Sequence, residues 1–283
     1  MNGDHILYLT STGCLDTYPN NNSDKFINRL TTPIVLENNV EYEVGLISIL
    51  YPDQYYGLLA NDDRYAIVVH TGQDKLKIKN FTTTVKLHQN ILAGDLEKMV
   101  NIVNRKLMNY LKSYYSAIVY KRIFNQSNIL KWNNEENRVE IHSVEGKNYS
   151  GDISSIDIKL NSGLARVFGF NSNSLYNVFN SKKRGTLLIH KSPITPSARC
   201  NVDYIYMYTD IIQPSNFGGQ LVNVLDCFSL QNGGNKGIHN SIYKPLNTHF
   251  IDQISVMIRD QHARPIHFTE ESTVTCVIHI RPR

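Results

Sequence analysis

Histidines, cysteines and carboxylates are the groups through which this chain could do chemistry, and their spacing gives little support to any reaction. Ten histidines are scattered over the 283 residues. His267 and His279 could approach each other across a closing hairpin, but two imidazoles without a third ligand make a poor zinc site. Neither GxSxG nor HExxH occurs, and no cysteine sits in a local catalytic signature. Asn232-Gly233-Gly234-Asn235-Lys236-Gly237 has the glycines of a phosphate cradle, yet it lacks the GK[ST] ending and the helix that should follow, so it reads as a hairpin loop. The acidic pairs Asp62-Asp63, Glu135-Glu136 and Glu270-Glu271 all fall in expected turns, where solvated carboxylates are ordinary. Cys14, Cys200, Cys227 and Cys276 form no CxxC pair; Cys227 and Cys276 stand among apolar strand residues and are expected to pack as small hydrophobes. No catalytic, cofactor-binding or metal-ligating residue is assigned, and the expectation is a non-enzymatic structural or binding protein. An enzyme whose site is assembled from distant residues is the weaker reading.

The elements that must carry any site are mostly strands. In FIDQISVMIRDQHARPIHFTEESTVTCVIHIRP (250–282), Ile254, Val256 and Ile258 alternate with Ser255, Met257 and Arg259. Val274, Cys276, Ile278 and Ile280 then alternate with Thr275, Val277 and His279. A period of two places one face in a core and leaves open what the other face meets. Further strands are expected at 5–11, 26–36, 41–51, 65–70, 75–79, 82–87, 153–160, 202–209 and 219–230, with a hairpin joining 129–132 to 138–142. The segment 41–51 is apolar on both faces, as in a strand inside an assembly of sheets, and Pro52 ends it. One long helix is expected after Asp95, its cap, with Leu96, Met99, Val100, Val103, Leu107, Tyr110, Leu111 and Tyr114 on one face. Residues 117–124 follow it. Gly163 to Phe170 reads as a short helical turn with a glycine cap, and 172–184 as a polar loop.

Composition sets wider bounds. With 41% apolar residues, 17 Tyr and 10 Phe, the chain can build a sizeable core. A net charge of +4 with one basic run, Lys182-Lys183-Arg184, falls short of a nucleic-acid-binding stripe, so no specific nucleic-acid binding is expected. MNGDHILYLT lacks the features of a signal peptide and no window is long and apolar enough to span a bilayer, so neither export nor a membrane anchor is expected, and the thiols are expected to stay reduced inside a cell. Triplets at Asn21, Asn80 and Asn148 match the glycosylation sequon, which has no meaning without export.

Four blocks carry a family resemblance. YIYMYTDIIQPSNFGGQLVNVLDCFSL (204–230) resembles a "YVYTDIVEP…VG…LL" segment of the penton, or minor capsid, proteins of Polinton/Maverick elements and Mavirus-type virophages. In the same order stand LYLTSTGCLDTYPNNNSDKFINRLTTPIVLENNVEYEVGLISILYP, IDIKLNSGLARVFGF and IYKPLNTHFIDQISVMIRDQHARPIHFTEESTVTCVIHIRP. The chain departs from the family at Ala263-Arg264-Pro265-Ile266, where the family tends to have Gly-x-Pro-Ile, and around Glu270-Glu271-Ser272, where a glycine is expected. The resemblance implies an all-β single jelly-roll β-sandwich with an inserted α+β domain that contains the long helix. It also implies a homopentamer at the fivefold vertices of an icosahedral virion, beside a double jelly-roll major capsid protein. The jelly roll is expected at 1–90 and 200–283, with the insertion at 91–199. No cofactor is implied, and the residues at subunit contacts are not identified. The alternative is a carbohydrate- or receptor-binding β-sandwich module, in which an exposed aromatic platform built from Trp132 and Tyr149 would meet a host receptor or glycan.

Overall fold

The computed structural model describes residues 3–73, 81–115, 117–124, 128–145, 153–181, 188–200, 202–230, 235–237, 241–269 and 272–283. Tyr149, the basic run 182–184, Asn232 to Gly234, Glu270-Glu271, the strand expected at 75–79 and the sequons at Asn80 and Asn148 lie outside the described residues. The chain divides into two compact units: Met1–Tyr56 with Val202–Arg283, and Gly57–Asn201.

The first unit is built from β strands packed in two layers. Its strands are β1 (His5–Thr10), β2 (Lys25–Val35), β3 (Tyr42–Leu50), β4 (Tyr204–Thr209), β5 (Ser215–Phe217), β6 (Gln220–Val222), β7 (Val224–Ser229), β8 (Asn235–Gly237), β9 (Lys244–Pro245), β10 (Phe250–Asp260) and β11 (Thr275–Pro282). One sheet runs β1-β11-β3, with β8 and β9 sharing the far edge of β3; the other runs β7-β4-β10-β2. Every pairing in the two sheets is antiparallel. The pairs are nested along the chain, β1 with β11, β2 with β10, β3 with β8 and β9, β4 with β7, so the core closes only when both chain ends meet.

Alternation decides which residues enter that core. Leu9, Cys276, Ile278, Ile280, Val44 and Leu46 are buried from one sheet; Phe26, Ile205, Met207, Ile254, Val256 and Ile258 are buried from the other. Each such aliphatic or aromatic side chain contributes roughly 1.5–3 kcal/mol on leaving water. Tyr51 and Phe228 stack at 5.9 Å where the layers meet.

The structure corrects the reading of the closing segment. β10 and β11 do not form a hairpin: they belong to opposite sheets, and residues 261–274 carry the chain across. The carboxylate of Asp260, almost fully buried, anchors this crossing. It accepts from the amides of His262 (2.8 Å) and Arg264 (2.9 Å) and pairs with the Arg264 guanidinium at 2.6 Å. Ala263 has φ 58°, the left-handed conformation that glycine adopts most readily. Segment 219–230 is also not one strand, because Gly218-Gly219 close the two-residue turn of the β5–β6 ribbon before β7 begins.

The second unit, Gly57–Asn201, has its own core. Helix α1 (Leu96–Tyr114) starts at Asp95, whose side chain accepts from the Lys98 amide at 2.9 Å. Its buried face holds Met99, Val100, Val103, Leu107 and Leu111. Asn104 lies on the same face, and its Oδ1 accepts from the amides of Ile129 (3.1 Å) and Leu130 (2.9 Å), fixing the next strand on the helix. A second helix, α2, follows (Ala117–Phe124), and α3 (Ser162–Phe168) ends at Gly169, φ 76°. A Cβ at Gly169 would stand 2.0 Å from the Ile194 carbonyl oxygen. The unit also holds a five-stranded sheet (144–145, 176–180, 153–160, 67–73, 81–85) and a three-stranded one (189–191, 138–142, 130–133). Residues 176–180, expected as loop, are a strand because Val178 and Phe179 are buried. Strand 67–73 pairs with 153–160 on one side and with 81–85 on the other, which puts the first division of the chain at 56/57 and not at 90/91.

Candidate interaction surface

The outward faces and edges of the first unit differ in how far the chain satisfies them itself. On the outer face of the first sheet, Gly45 leaves room for the Tyr243 ring, which an added Cβ would meet at 3.1 Å. The Tyr243 hydroxyl lies 2.9 Å from His279 Nδ1, and the Arg281 guanidinium sits 3.6 Å over the ring while pairing with Glu43 at 2.8 Å. This part of the face is closed by its own side chains. Toward β1 it is open: Ile6 and Tyr8 are 58% and 73% exposed.

The strand edges show the same contrast more sharply. An edge strand exposes unpaired amides and carbonyls that invite another strand. Along β2 the chain blocks them with side chains that imitate a strand. Asn21 accepts from the Ile27 amide and donates to the Ile27 carbonyl, both at 2.9 Å, and Asn22 accepts from the Lys25 amide at 2.8 Å. Asn28 does the same for β1 at Thr10, accepting from its amide at 2.7 Å and donating to its carbonyl at 2.9 Å. The Asn21 side chain also donates to Gly13, so its sequon is spent internally. Because Thr10 points its backbone groups away from β11, Tyr8 and Ile6, two and four residues back, point theirs the same way. The amide of Ser11, of opposite parity, bonds to Val274, as this alternation requires.

On the outer face of the second sheet, Tyr204, Tyr206 and Tyr208 form a row along β4, beside Arg259 and Met257 of β10. This row is what the outward residues of β10 meet within the chain. Burial raises the Tyr206 and Tyr208 hydroxyls above the usual tyrosine range. Phe217 of the β5–β6 ribbon packs edge-on against Tyr206 at 5.4 Å, while Leu221 of the same ribbon is 76% exposed. Cys227 faces outward opposite Tyr206, contrary to expectation, because an extra residue at Leu225 resets the alternation of β7. Cys276 packs in the core as expected, and burial pushes its thiol up.

The sequence candidates for chemistry are dispersed. His279 lies with Tyr243 and 3.9 Å from Asp4, whereas His267 borders Asp24 in a pocket of about 410 Å³ lined also by Ser11, Asn21 and Thr269. Burial raises the Asp24 carboxyl, with His267 opposing the shift. Among the described residues, no three His, Cys, Asp or Glu side chains converge as a metal site would need. In the second unit Asp62 pairs with Arg64, Asp63 with Lys86 and Glu136 with Lys191. Trp132 is partly buried against the core of that unit instead of standing out as a platform. Glu140, on the adjoining strand opposite Lys131, accepts from Asn133 (2.9 Å) and from His142 (2.7 Å). Burial favours the neutral acid there, but these hydrogen bonds outweigh it and hold the carboxyl below its usual range. Among the described residues, no helix is long and apolar enough to cross a membrane.

No protein-family model matches the chain, and no curated protein does. Among solved structures the chain is similar to the crystal structure of selenomethionine-labelled mavirus penton protein, over 99% of this chain and 100% of that one, with a TM-score of 0.48 and 10% identity. A likeness at that level carries no functional argument.

Proposed function

We propose that the chain is a non-catalytic structural protein of a virus particle, a penton or minor capsid protein that assembles as a homopentamer at the fivefold vertices of an icosahedral shell, beside a double jelly-roll major capsid protein. The observation that carries this reading is a sandwich closed by both chain ends that presents unlike apolar surfaces on its two flanks, Ile6 and Tyr8 on one and the tyrosine row with the β5–β6 ribbon on the other. Closed rings are held by heterologous contacts, which need two different complementary patches on each subunit. The nested strand pairs and the orders β1-β11-β3-β8/β9 and β7-β4-β10-β2 support reading the sandwich as a jelly roll, an architecture used by capsid and lectin domains alike. The four sequence blocks shared in order with the penton family favour the capsid over the lectin.

Native mass spectrometry and negative-stain imaging of the purified chain test the proposal, alone and mixed with a double jelly-roll capsid protein. A species of five chains, seen as a five-lobed ring, is the expected result. A chain that stays monomeric in both conditions and never enters shells overturns it.

A further inference from the structure

The open edge of β1 and the isolated β5–β6 ribbon are both unfinished, and each has what the other lacks. We propose that they pair between neighbouring copies: strand β6 of one chain adds to the β1 edge of the next, with Leu221 opposite Tyr8. The inference rests on the assembly reading above and names the contact that holds the ring.

Three observations carry it. First, the openness of β1 is selective. The chain blocks Thr10, Lys25 and Ile27 with asparagine side chains and leaves the outward amides and carbonyls of Ile6 and Tyr8 without a hydrogen-bond partner among the described residues. Such groups are met by solvent or by another extended backbone, and strand addition satisfies amide and carbonyl together.

Second, the ribbon belongs to neither sheet. Two three-residue strands are marginal in water on their own. Its pairs are Ser215 with Val222, Asn216 with Leu221 and Phe217 with Gln220, the last closing the turn. By alternation the backbone groups of Leu221 therefore point away from β5, on the side where its exposed side chain also lies at the surface.

Third, the charges are compatible. No Asp, Glu, Lys, Arg or His occurs between Asp210 and Asp226, and Ile6 and Tyr8 bring none, so the pairing desolvates no ion.

The partner must be another copy. β1 is the edge of its sheet on the flank where Thr10 meets Asn28 of β2, while the ribbon leans on β4 near β7, at the opposite edge of the other sheet. One strand of this length with two apolar side chains falls well short of the roughly 800 Å² per partner of a stable interface. In a closed ring every copy gives one ribbon and receives another, so each chain is held at two such contacts.

The test uses the full chain with the exposed thiol removed (Cys227→Ser) and with Tyr8→Cys and Leu221→Cys together; both new thiols sit at exposed positions. Residues paired across antiparallel strands have Cα atoms about 5.5 Å apart, within disulfide range. Mild oxidation is expected to give a ladder of covalent oligomers ending at five, while either single variant gives none. Amide exchange at Ile6 and Tyr8 is expected to slow at least tenfold on assembly. Five-membered rings without a ladder, with Ile6 and Tyr8 exchanging as fast as in the dissociated chain, overturn the pairing and leave the assembly reading standing. A chain that forms no oligomer overturns both.

Discussion

The two units solve the same burial problem in opposite ways. Gly57–Asn201 is one continuous segment, and its core is assembled around α1 with both sheets drawn from nearby sequence. The terminal unit has no such local nucleus: β11 must find β1 and β3, and β10 must find β2 and β4, across the whole intervening chain. The contrast extends to the surface. Both units pair exposed carboxylates with lysine or arginine, but the terminal one also leaves a strand edge, a tyrosine row and an uncharged ribbon facing outward. A local core suits a self-sufficient body, whereas a core made of remote strands ends in edges that a neighbour can complete.

Each unit contains a buried thiol, Cys200 in the inserted one and Cys276 in the terminal one, so thiol trapping followed by mass spectrometry reads the two separately. The Cys200 thiol is pushed up to about 12 by burial, which keeps it silent until its unit opens. The largest effect is expected for Gly169→Ala. An L-residue at φ 76° costs roughly 1–2 kcal/mol. The added collision with the Ile194 carbonyl brings the total to at least about 3 kcal/mol. Cys200 should become reactive in far milder denaturant while Cys276 keeps its protection; equal exposure of both would erase the distinction drawn between the units.

A smaller effect of opposite sign is expected in the terminal unit. Ala263→Gly relieves a left-handed alanine held in place by the Asp260 anchor and by the Arg259 guanidinium, which donates to the Ala263 carbonyl at 2.7 Å. A gain of about 1 kcal/mol, after the greater freedom of glycine in the unfolded chain is set against it, should appear as slower trapping of Cys276 alone.

The smallest difference is in acid. Glu140 in the inserted unit has its carboxyl below the ordinary value of 4.5, so the stability it contributes is present above that pH and is lost as pH falls through the lower folded value. Asp24 and Asp210 in the terminal unit are raised above 3.8 by burial, so just above 3.8 the folded state holds protons that the unfolded state has released, and that unit gains stability as pH falls through their raised values. Trp132, the one indole of the chain, lies opposite Val139 in the same strand pair as Glu140 and reports the inserted unit. Its emission should shift during mild acidification before the amides of β11 lose their protection from exchange, and Glu140→Gln should flatten that shift.

What was legible in the sequence follows from range. The alternation of β3, β10 and β11, the Asp95 cap with the helical stripe behind it, and the glycine end of α3 are local patterns, and the structure has them within a residue or two. Which strands pair is not local: the run from Phe250 to Pro282 looks like a hairpin, but its two halves join different sheets because β10 pairs with β2 and β4 while β11 pairs with β1 and β3, all remote in sequence. The division at 56/57 was hidden because strands on both sides of it share one alternation. Asn21 and Asn22 carry the signature of turn residues and Asn28 falls within an expected strand, and their work as strand substitutes appears only when β2 and β1 lie side by side. Its apolar neighbours put Cys227 inside, because the extra residue at Leu225 leaves no mark in sequence. In the surface, Ile6, Tyr8 and Leu221 resemble any other apolar strand residues, and their exposure is a property of the assembled sheets.

The nesting of β1 with β11 also sets a timetable for synthesis. At roughly 5–20 residues per second, β1 waits tens of seconds on the ribosome before its partner is translated. The inserted unit emerges whole in that interval and can fold first, while three amino-terminal strands remain without a sheet. During that wait the asparagine side chains near β2 are the available local cover against strand pairing between nascent chains on the same message, which gives them a use before the finished molecule exists.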